Sequence, residues 1–249
     1  YKRQFLQWAH DLNSTLENVL LLGDGHYDFR GDDAPPQILP FYQRDDLASD
    51  DFYALLDSGE VLTFGNYDLD LNIGRLPVAK SSQMQTYLSK IKEYSVDVSQ
   101  GIFRNRGLLL ADDFKQGGAT FNLDPIYGVI NNGFYLGSGT GHIYQAESRG
   151  SQIEDSIPSF VNQRVYLQEY SSNSMGAKPQ AQNNLIEKWN QGNLISIYYG
   201  HGGTNQLADE KFLTDEGVSK LTGFPTIFLA FSCVVGRIDR VNYESMTEK

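Results

Sequence analysis

One cysteine and one histidine in this sequence have the side chains and the setting for nucleophilic catalysis. Cys233 comes shortly after the apolar run 226–231, and His201 lies in the glycine-rich turn 200–203, one predicted helix earlier. A thiol becomes an effective nucleophile when a neighbouring imidazole favours the thiolate. Glycines beside the histidine allow the backbone to approach a substrate closely. The pair therefore indicates covalent catalysis by Cys233, with His201 as general base and general acid.

The same cysteine has an ordinary explanation as well. A single cysteine at the end of an apolar strand is most often a small buried hydrophobic residue, and a Gly-His-Gly turn alone is equally unspecific. The two segments together are more informative, because histidine precedes cysteine and both follow apolar runs, which is the order of caspase-type and not papain-type peptidases. In such a site the backbone amides of Gly202 and Cys233 are the candidates for the oxyanion hole.

The apolar runs predict a framework that brings these residues together. Four runs end in small or polar residues, as buried parallel strands do where they open into loops: 19–22, 108–111, 194–199 and 226–231. Helical patterns begin near Ser81, Pro179 and Thr214. Strands that alternate with helices predict an α/β fold with a mostly parallel sheet and helices on both faces. Ligands bind beyond the carboxyl ends of such strands, where His201 and Cys233 lie.

The composition excludes several classes of protein. The 249 residues are 40% hydrophobic, with 14 Phe and 15 Tyr, so the chain can build a core and is unlike a disordered sequence. A net charge of −11 has the wrong sign for sequence-independent binding to nucleic acid or to an anionic membrane. No apolar stretch approaches the roughly 20 residues of a transmembrane helix. The single cysteine excludes a disulfide framework and a cysteine-rich zinc site.

Five ordered segments resemble the gingipain family of cysteine peptidases: 19–25, 49–53, 73–78, 199–203 and 231–236. The last two look like the catalytic histidine and cysteine segments of that family. The first three resemble the first strand of its catalytic subdomain, its acidic loop and its Ile-Gly-Arg-hydrophobic-Pro segment. The acidic stretches 23–28 and 49–57 are especially similar to the sortase-like members of the type IX secretion system.

The resemblance implies a fold, an activity and a setting. The fold is a caspase-like three-layer α/β fold, with residues 1–249 as a catalytic subdomain excerpted at both ends from a longer peptidase that carries a flanking subdomain. The activity is hydrolysis of protein or peptide substrates through an acyl-enzyme, with a possible preference for basic residues before the cleaved bond. The resemblance also implies that the protein is secreted or located at the bacterial cell surface. No cofactor is required for the chemistry, and calcium is expected as a structural ion.

The resemblance also assigns roles to individual residues. Cys233 falls on the nucleophile and His201 on the general base and acid. Asp50 falls on the acid that binds the basic side chain in arginine-specific members, where a carboxylate pairs bidentately with a guanidinium. Asp51 takes the place of Asp50 if the match to the family segment is offset by one residue. Lysine-specific members build this pocket differently. The third catalytic acid falls in the loop after the first strand, where Asp28 and Asp24 are the candidates.

Other acidic pairs and histidines are less specific. Acidic pairs that could ligate calcium, or lie in solvated loops, are Asp32-Asp33, Asp45-Asp46 and Asp112-Asp113. Their spacing fits no EF-hand. His26 is best interpreted as a solvated loop histidine, and His10 and His142 belong to no motif.

The sequence suggests three alternatives to a cysteine endopeptidase. Transpeptidation stays open, because it differs from hydrolysis only in whether an amine or water resolves the acyl-enzyme. A catalytically silent scaffold of the same fold, binding partners through its acidic loops, is the non-enzymatic alternative. A serine esterase that uses 201–203 as its oxyanion loop needs a Gly-x-Ser-x-Gly elbow, which the sequence lacks.

Overall fold

A computed structural model describes most of the chain. The described residues are 2–26, 41–42, 48–62, 68–95, 101–113, 128–130, 134–136, 141–240 and 243–249. Asp28 and the acidic pairs Asp32-Asp33 and Asp45-Asp46 lie outside them, so the catalytic role predicted for Asp28 stays a prediction. No helix in the described ranges is long and apolar enough to cross a membrane.

Helices and strands alternate along much of the chain. The α-helices of the described residues are α1 (Lys2–Leu12), α2 (Ser81–Ser95), α3 (Gly141–Ser156), α4 (Pro179–Asn190) and α5 (Asp215–Val218). The strands are β1 (Asn18–Leu22), β2 (Phe41–Tyr42), β3 (Ala48–Ser49), β4 (Asn72–Leu76), β5 (Arg106–Ala111), β6 (Gly128–Ile130), β7 (Phe134–Leu136), β8 (Val161–Tyr166), β9 (Ile195–Tyr199), β10 (Gly202–Gly203), β11 (Gln206–Leu207), β12 (Leu213–Thr214) and β13 (Ile227–Phe231). Short 3-10 helices cover Asp51–Ala54, Ile102–Asn105, Leu167–Glu169 and Met246–Glu248.

The chain divides into two compact units. The first contains Tyr1–Leu88, Arg237–Glu244 and Glu248, and the second contains Ser89–Gly236, Ser245–Thr247 and Lys249. In the first unit, β1 and β4 form a parallel pair with Val19 opposite Ile73. Ala54, Leu56 and Leu71 form its buried core.

The second unit is built on a parallel sheet with the strand order β13-β9-β5-β8. The central strand β5 is buried over most of its length. Alternate residues of β5 face opposite sides, as the pleat requires. Leu108 and Leu110 belong to the core cluster that contains Leu185 of α4, whereas Leu109 and Ala111 belong to the cluster that contains Ala146 of α3. Helices thus cover both faces, and the predicted α/β fold is confirmed.

Local sequence signals account for two of the helix boundaries. Pro179 opens α4 at a position where its missing N–H costs nothing, and Gly192, with φ +81°, follows its end. The Thr214 hydroxyl caps α5 by accepting a hydrogen bond from the Gly217 N–H at 3.2 Å. The helices predicted from Pro179 and Thr214 are therefore confirmed, although α5 already ends at Val218.

The sheets differ from the sequence prediction in two respects. Residues 72–76 form β4, which the four apolar runs did not include, and this strand pairs in parallel with β1. Strand β8 was not predicted, because its centre reads Asn162-Gln163-Arg164. Polar residues at these positions conceal a strand that lies at the edge of the sheet.

Candidate active site

His201 and Cys233 follow two neighbouring strands of the second unit. Strands β9 and β13 run in parallel, with Tyr199 directly opposite Phe231. The rings of these two residues stack at 4.5 Å with an interplanar angle of 5°. His201 is the second residue after β9 and Cys233 is the second residue after β13, so the register places both at the same edge of the sheet.

The two residues line one cavity of about 270 Å³. The other residues that line it are Gly202, Gly203, Asn205, Gln206, Ala208 and Asp209. Cys233 is exposed, so the interpretation of this cysteine as a buried hydrophobic residue is wrong. A half-buried imidazole and an exposed thiol in one cavity are the groups that thiolate chemistry needs.

Gly202 lies directly against the cysteine segment. A Cβ atom at this position would lie 2.5 Å from Val235 Cγ1 and 3.0 Å from the Cys233 carbonyl oxygen, and it would also overlap Ser232 Oγ. Only glycine fits such a close approach. The absence of a side chain at residue 202 therefore lets the histidine and cysteine segments pack together.

The backbone of His201 is fixed by three hydrogen bonds. Its N–H donates to Asp112 Oδ2 at 2.9 Å. Its carbonyl accepts from the Tyr198 hydroxyl at 2.6 Å and from the Ala208 N–H at 2.9 Å. Burial raises the pKa of Tyr198, so this hydroxyl remains a neutral donor. Asp112 is only 1% exposed, and its solvated-loop interpretation is wrong.

A small separate sheet contributes to the lining of the cavity. Strands β10, β11 and β12 pair in antiparallel order. Leu207 and Phe212 anchor this sheet in the core of the second unit, where both are fully buried. The side chains of Asn205 and Asp209 remain exposed at the cavity.

His142, near the start of α3, is a neighbour of the site that no sequence motif indicated. Its ring centroid lies 5.4 Å from that of His201, with an interplanar angle of 87°. Burial lowers the pKa of His142 and the His201 charge lowers it further, whereas the Asp112 carboxylate opposes both effects.

Three buried carboxylates, from Asp112, Asp113 and Glu210, lie behind His201 and have oxygen atoms within 4.8 Å of one another. Calcium prefers six to eight oxygen ligands. Here the Lys178 ammonium is ion-paired with Asp113 and donates to the Leu167 carbonyl at 2.7 Å. Asp112 already accepts from the backbone amides of Asp113 at 2.7 Å and of His201 at 2.9 Å. This cluster contains a buried lysine ion pair, and calcium binding at these carboxylates stays a prediction.

Glu210 makes the cluster sensitive to pH. Its Oε2 atom is buried without a hydrogen-bond partner among the described residues. Burial, followed by the charge of Asp113, raises the pKa of Glu210 from 4.5 to about 7. Between these two values the folded protein keeps a proton that the unfolded chain has lost, so raising the pH lowers the free energy of unfolding. Above pH 7 the full cost of the buried charge is present, and below pH 4.5 the contribution vanishes.

We therefore expect Glu210→Gln to raise the free energy of unfolding by about 1–2 kcal/mol at pH 8 and by almost nothing at pH 4.5, because glutamine removes only the buried charge. Urea unfolding of both proteins at the two pH values measures this difference. Glu216→Gln is the control, since Glu216 is exposed and paired with Lys220 at the surface, and it should produce no measurable difference between the two pH values. An equal gain at both pH values would contradict the explanation.

The remaining predicted residues lie in the first unit. Both oxygens of Asp50 accept hydrogen bonds from the Arg75 guanidinium, each at 2.6 Å, and the two side chains are 13% and 4% exposed. Asp50 thus has a bidentate partner within the chain, which a substrate guanidinium would have to displace. Burial raises the pKa of Asp24. His26 is 4% exposed, so its interpretation as a solvated histidine is wrong.

Two structures share the fold of this chain. One is the complex of the pro- and mature domains of RgpB from Porphyromonas gingivalis, with a TM-score of 0.69 and 18% identity over 99% of this chain and 48% of that one. The other is the Arg-specific cysteine proteinase gingipain R (RgpB), with a TM-score of 0.67 and 18% identity over 99% and 47%. The chain therefore spans about half the length of these structures.

Sequence comparison gives the family. No curated protein matches this chain. The sequence model of peptidase family C25 matches residues 2–249, which is almost the entire length. The chain belongs to peptidase family C25, the gingipain family of cysteine peptidases.

Proposed function

We propose that this chain is the catalytic part of a cysteine endopeptidase that cleaves peptide bonds through an acyl-enzyme on Cys233. One observation carries the proposal: an exposed Cys233 and His201 line the same cavity, beyond the carboxyl ends of two paired parallel strands. This arrangement provides a nucleophile and a base in a space that is open to a peptide.

The reaction follows from these two side chains. The Cys233 thiolate attacks the carbonyl carbon, and negative charge develops on the carbonyl oxygen. The C–N bond then breaks, and the His201 imidazolium gives its proton to the leaving amine. His201 next takes a proton from water, the hydroxide oxygen attacks the thioester, and the Cys233 sulfur leaves. The Gly202 and Cys233 amides are our candidates for stabilising the oxyanion, supported by the close packing of these segments.

Substrate preference and setting form a second part of the proposal. Cleavage after basic residues is supported by the arginine specificity of one structural neighbour, while the internal Arg75 partner of Asp50 argues that another group binds the basic side chain. A protein or peptide substrate, a flanking subdomain and secretion to the cell surface are consistent with the pro- and mature domains of the other neighbour. Transpeptidation would use the same acyl-enzyme with an amine as acceptor.

Alkylation of the thiol tests the proposal directly. In the full-length protein, we expect iodoacetamide to modify Cys233 at pH 6 at least about tenfold faster than it modifies free cysteine, because an imidazole favours the thiolate. His201→Ala should reduce the rate to that of the free amino acid, and His10→Ala, in α1 of the first unit, is the matched control. A Cys233 rate equal to that of free cysteine, unchanged in His201→Ala, would show that the two residues do not form a dyad.

A further inference from the structure

His142 lies beside the catalytic histidine proposed above. It is the second residue of α3, and the first turns of this helix pack on the sheet. Ile143 and the fully buried Ala146 join the core cluster that contains Ile197 and Tyr199 of β9. Since β9 leads directly into His201, the helix and the strand fix the two imidazoles relative to each other.

The rings meet edge to face, with centroids 5.4 Å apart and an interplanar angle of 87°. A histidine that activates a nucleophile needs a third group to set the orientation of its ring. Asp112 is a buried carboxylate beside this histidine, but its hydrogen bond goes to the backbone N–H of His201. Asp112 therefore holds the main chain of the histidine, while His142 contacts its ring.

The charge of His142 suits such a role. Burial and the His201 charge lower its pKa, and Asp112 offsets this only in part. The pKa of His142 therefore lies below that of an ordinary histidine, which favours its neutral form. A neutral imidazole has one ring nitrogen that accepts a hydrogen bond, and it adds no second positive charge next to an imidazolium.

We propose that His142 is the positioning residue of His201, and that its neutral imidazole does at this ring what a carboxylate does in a Cys-His-acid triad. The inference rests on the proposed peptidase function and deepens it. It also assigns a use to a histidine outside all five family-like segments of the sequence. Substitutions that keep an acceptor at residue 142 should preserve activity, and those that keep only the ring shape should not.

Four variants of the full-length protein separate these cases. We expect His142→Phe, which keeps an aromatic ring without a nitrogen, to lower kcat at least about tenfold with little change in KM, because ring orientation matters in the transition state. His142→Gln and His142→Glu keep an acceptor and should recover at least a third of the kcat of the unmodified protein. His10→Phe, a histidine replaced in the first unit, should leave both constants unchanged.

The outcomes distinguish this inference from the proposed function. If His201→Ala abolishes activity while His142→Phe retains its kcat, His142 has no positioning role and the dyad stands. If all His142 variants lose activity equally, the role is structural and the inference fails. If Cys233 and His201 variants are themselves fully active, the proposed function fails first.

A spectroscopic measurement covers the case in which His142→Phe does not fold. In the unmodified protein labelled with ¹⁵N-histidine, we expect His142 to be less than half protonated at pH 6.5, since its neighbours His201 and Asp112 leave a net lowering of its pKa. A predominantly protonated His142 at this pH would overturn the inference.

Discussion

Replacing Cys233 with serine is expected to lower kcat/KM for peptide cleavage by at least about 10³-fold, because a hydroxyl group next to His201 is a far weaker nucleophile than a thiolate. Serine is nearly isosteric with cysteine, and residue 233 is exposed, so the substitution should leave the fold intact. The measurement uses peptides with arginine, lysine or alanine before the cleaved bond, which also reports the preference for basic residues. Thermal unfolding of the two proteins confirms equal stability.

One control variant and two contrary results test this prediction. Met175→Ser replaces a residue that is 84% exposed and outside the cavity lining, and it should have no effect. A Cys233→Ser protein that keeps more than a tenth of the activity would place the nucleophile elsewhere. An unmodified protein that binds these peptides but neither cleaves nor transfers them would favour the catalytically silent scaffold.

Replacing Gly202 with alanine is expected to lower kcat by about 10²-fold, the second largest effect. The new Cβ would lie 2.5 Å from Val235 Cγ1 and 3.0 Å from the Cys233 carbonyl oxygen. A methyl group cannot occupy this space unless segment 232–235 moves, and Cys233 moves with it. A displacement of about 1 Å at a reacting group is enough for a loss of this size.

Gly203→Ala is the matched control for this variant. The nearest atom to a Cβ at residue 203 is Asn205 Oδ1 at 3.8 Å, an ordinary contact. We expect its kcat to remain within about threefold of that of the unmodified protein. Equal losses in the two variants would attribute the effect to chain flexibility, and no loss in Gly202→Ala would show that this close packing does not position Cys233.

The part of the site that is local in sequence could be predicted. Apolar runs before His201 and Cys233 identified β9 and β13, and the intervening helix indicated a parallel pairing on topological grounds. Strand β8 could not be recognised in this way. Its Arg164 pairs with Glu147 and Glu154 of α3, and the Asn162 amide donates to the Gly150 carbonyl at 3.1 Å. Polar residues are compatible with a strand at these positions because these partners pair with them, and the partners are visible only in the folded chain.

Long-range partners account for the remaining differences. Asp112 is one example: its hydrogen bond from the His201 N–H joins residues 89 positions apart, and nothing near Asp112 in the sequence indicates this partner. Asp50 and Arg75 each belong to a family-like segment, but their pairing is visible only when the chain is folded. His142 is similar: its significance lies in a ring that is distant in sequence and adjacent in space.

The separate sheet β10-β11-β12 has a consequence for substrate specificity. Its core residues Leu207 and Phe212 support it independently of the side chains that face the cavity. Exchanges at the exposed Asn205 and Asp209 can therefore alter what the cavity accepts without moving His201, whose carbonyl is held by Tyr198. In the proposed peptidase, specificity and reactivity therefore depend on different residues of one short loop, so that a change of substrate leaves the chemistry in place.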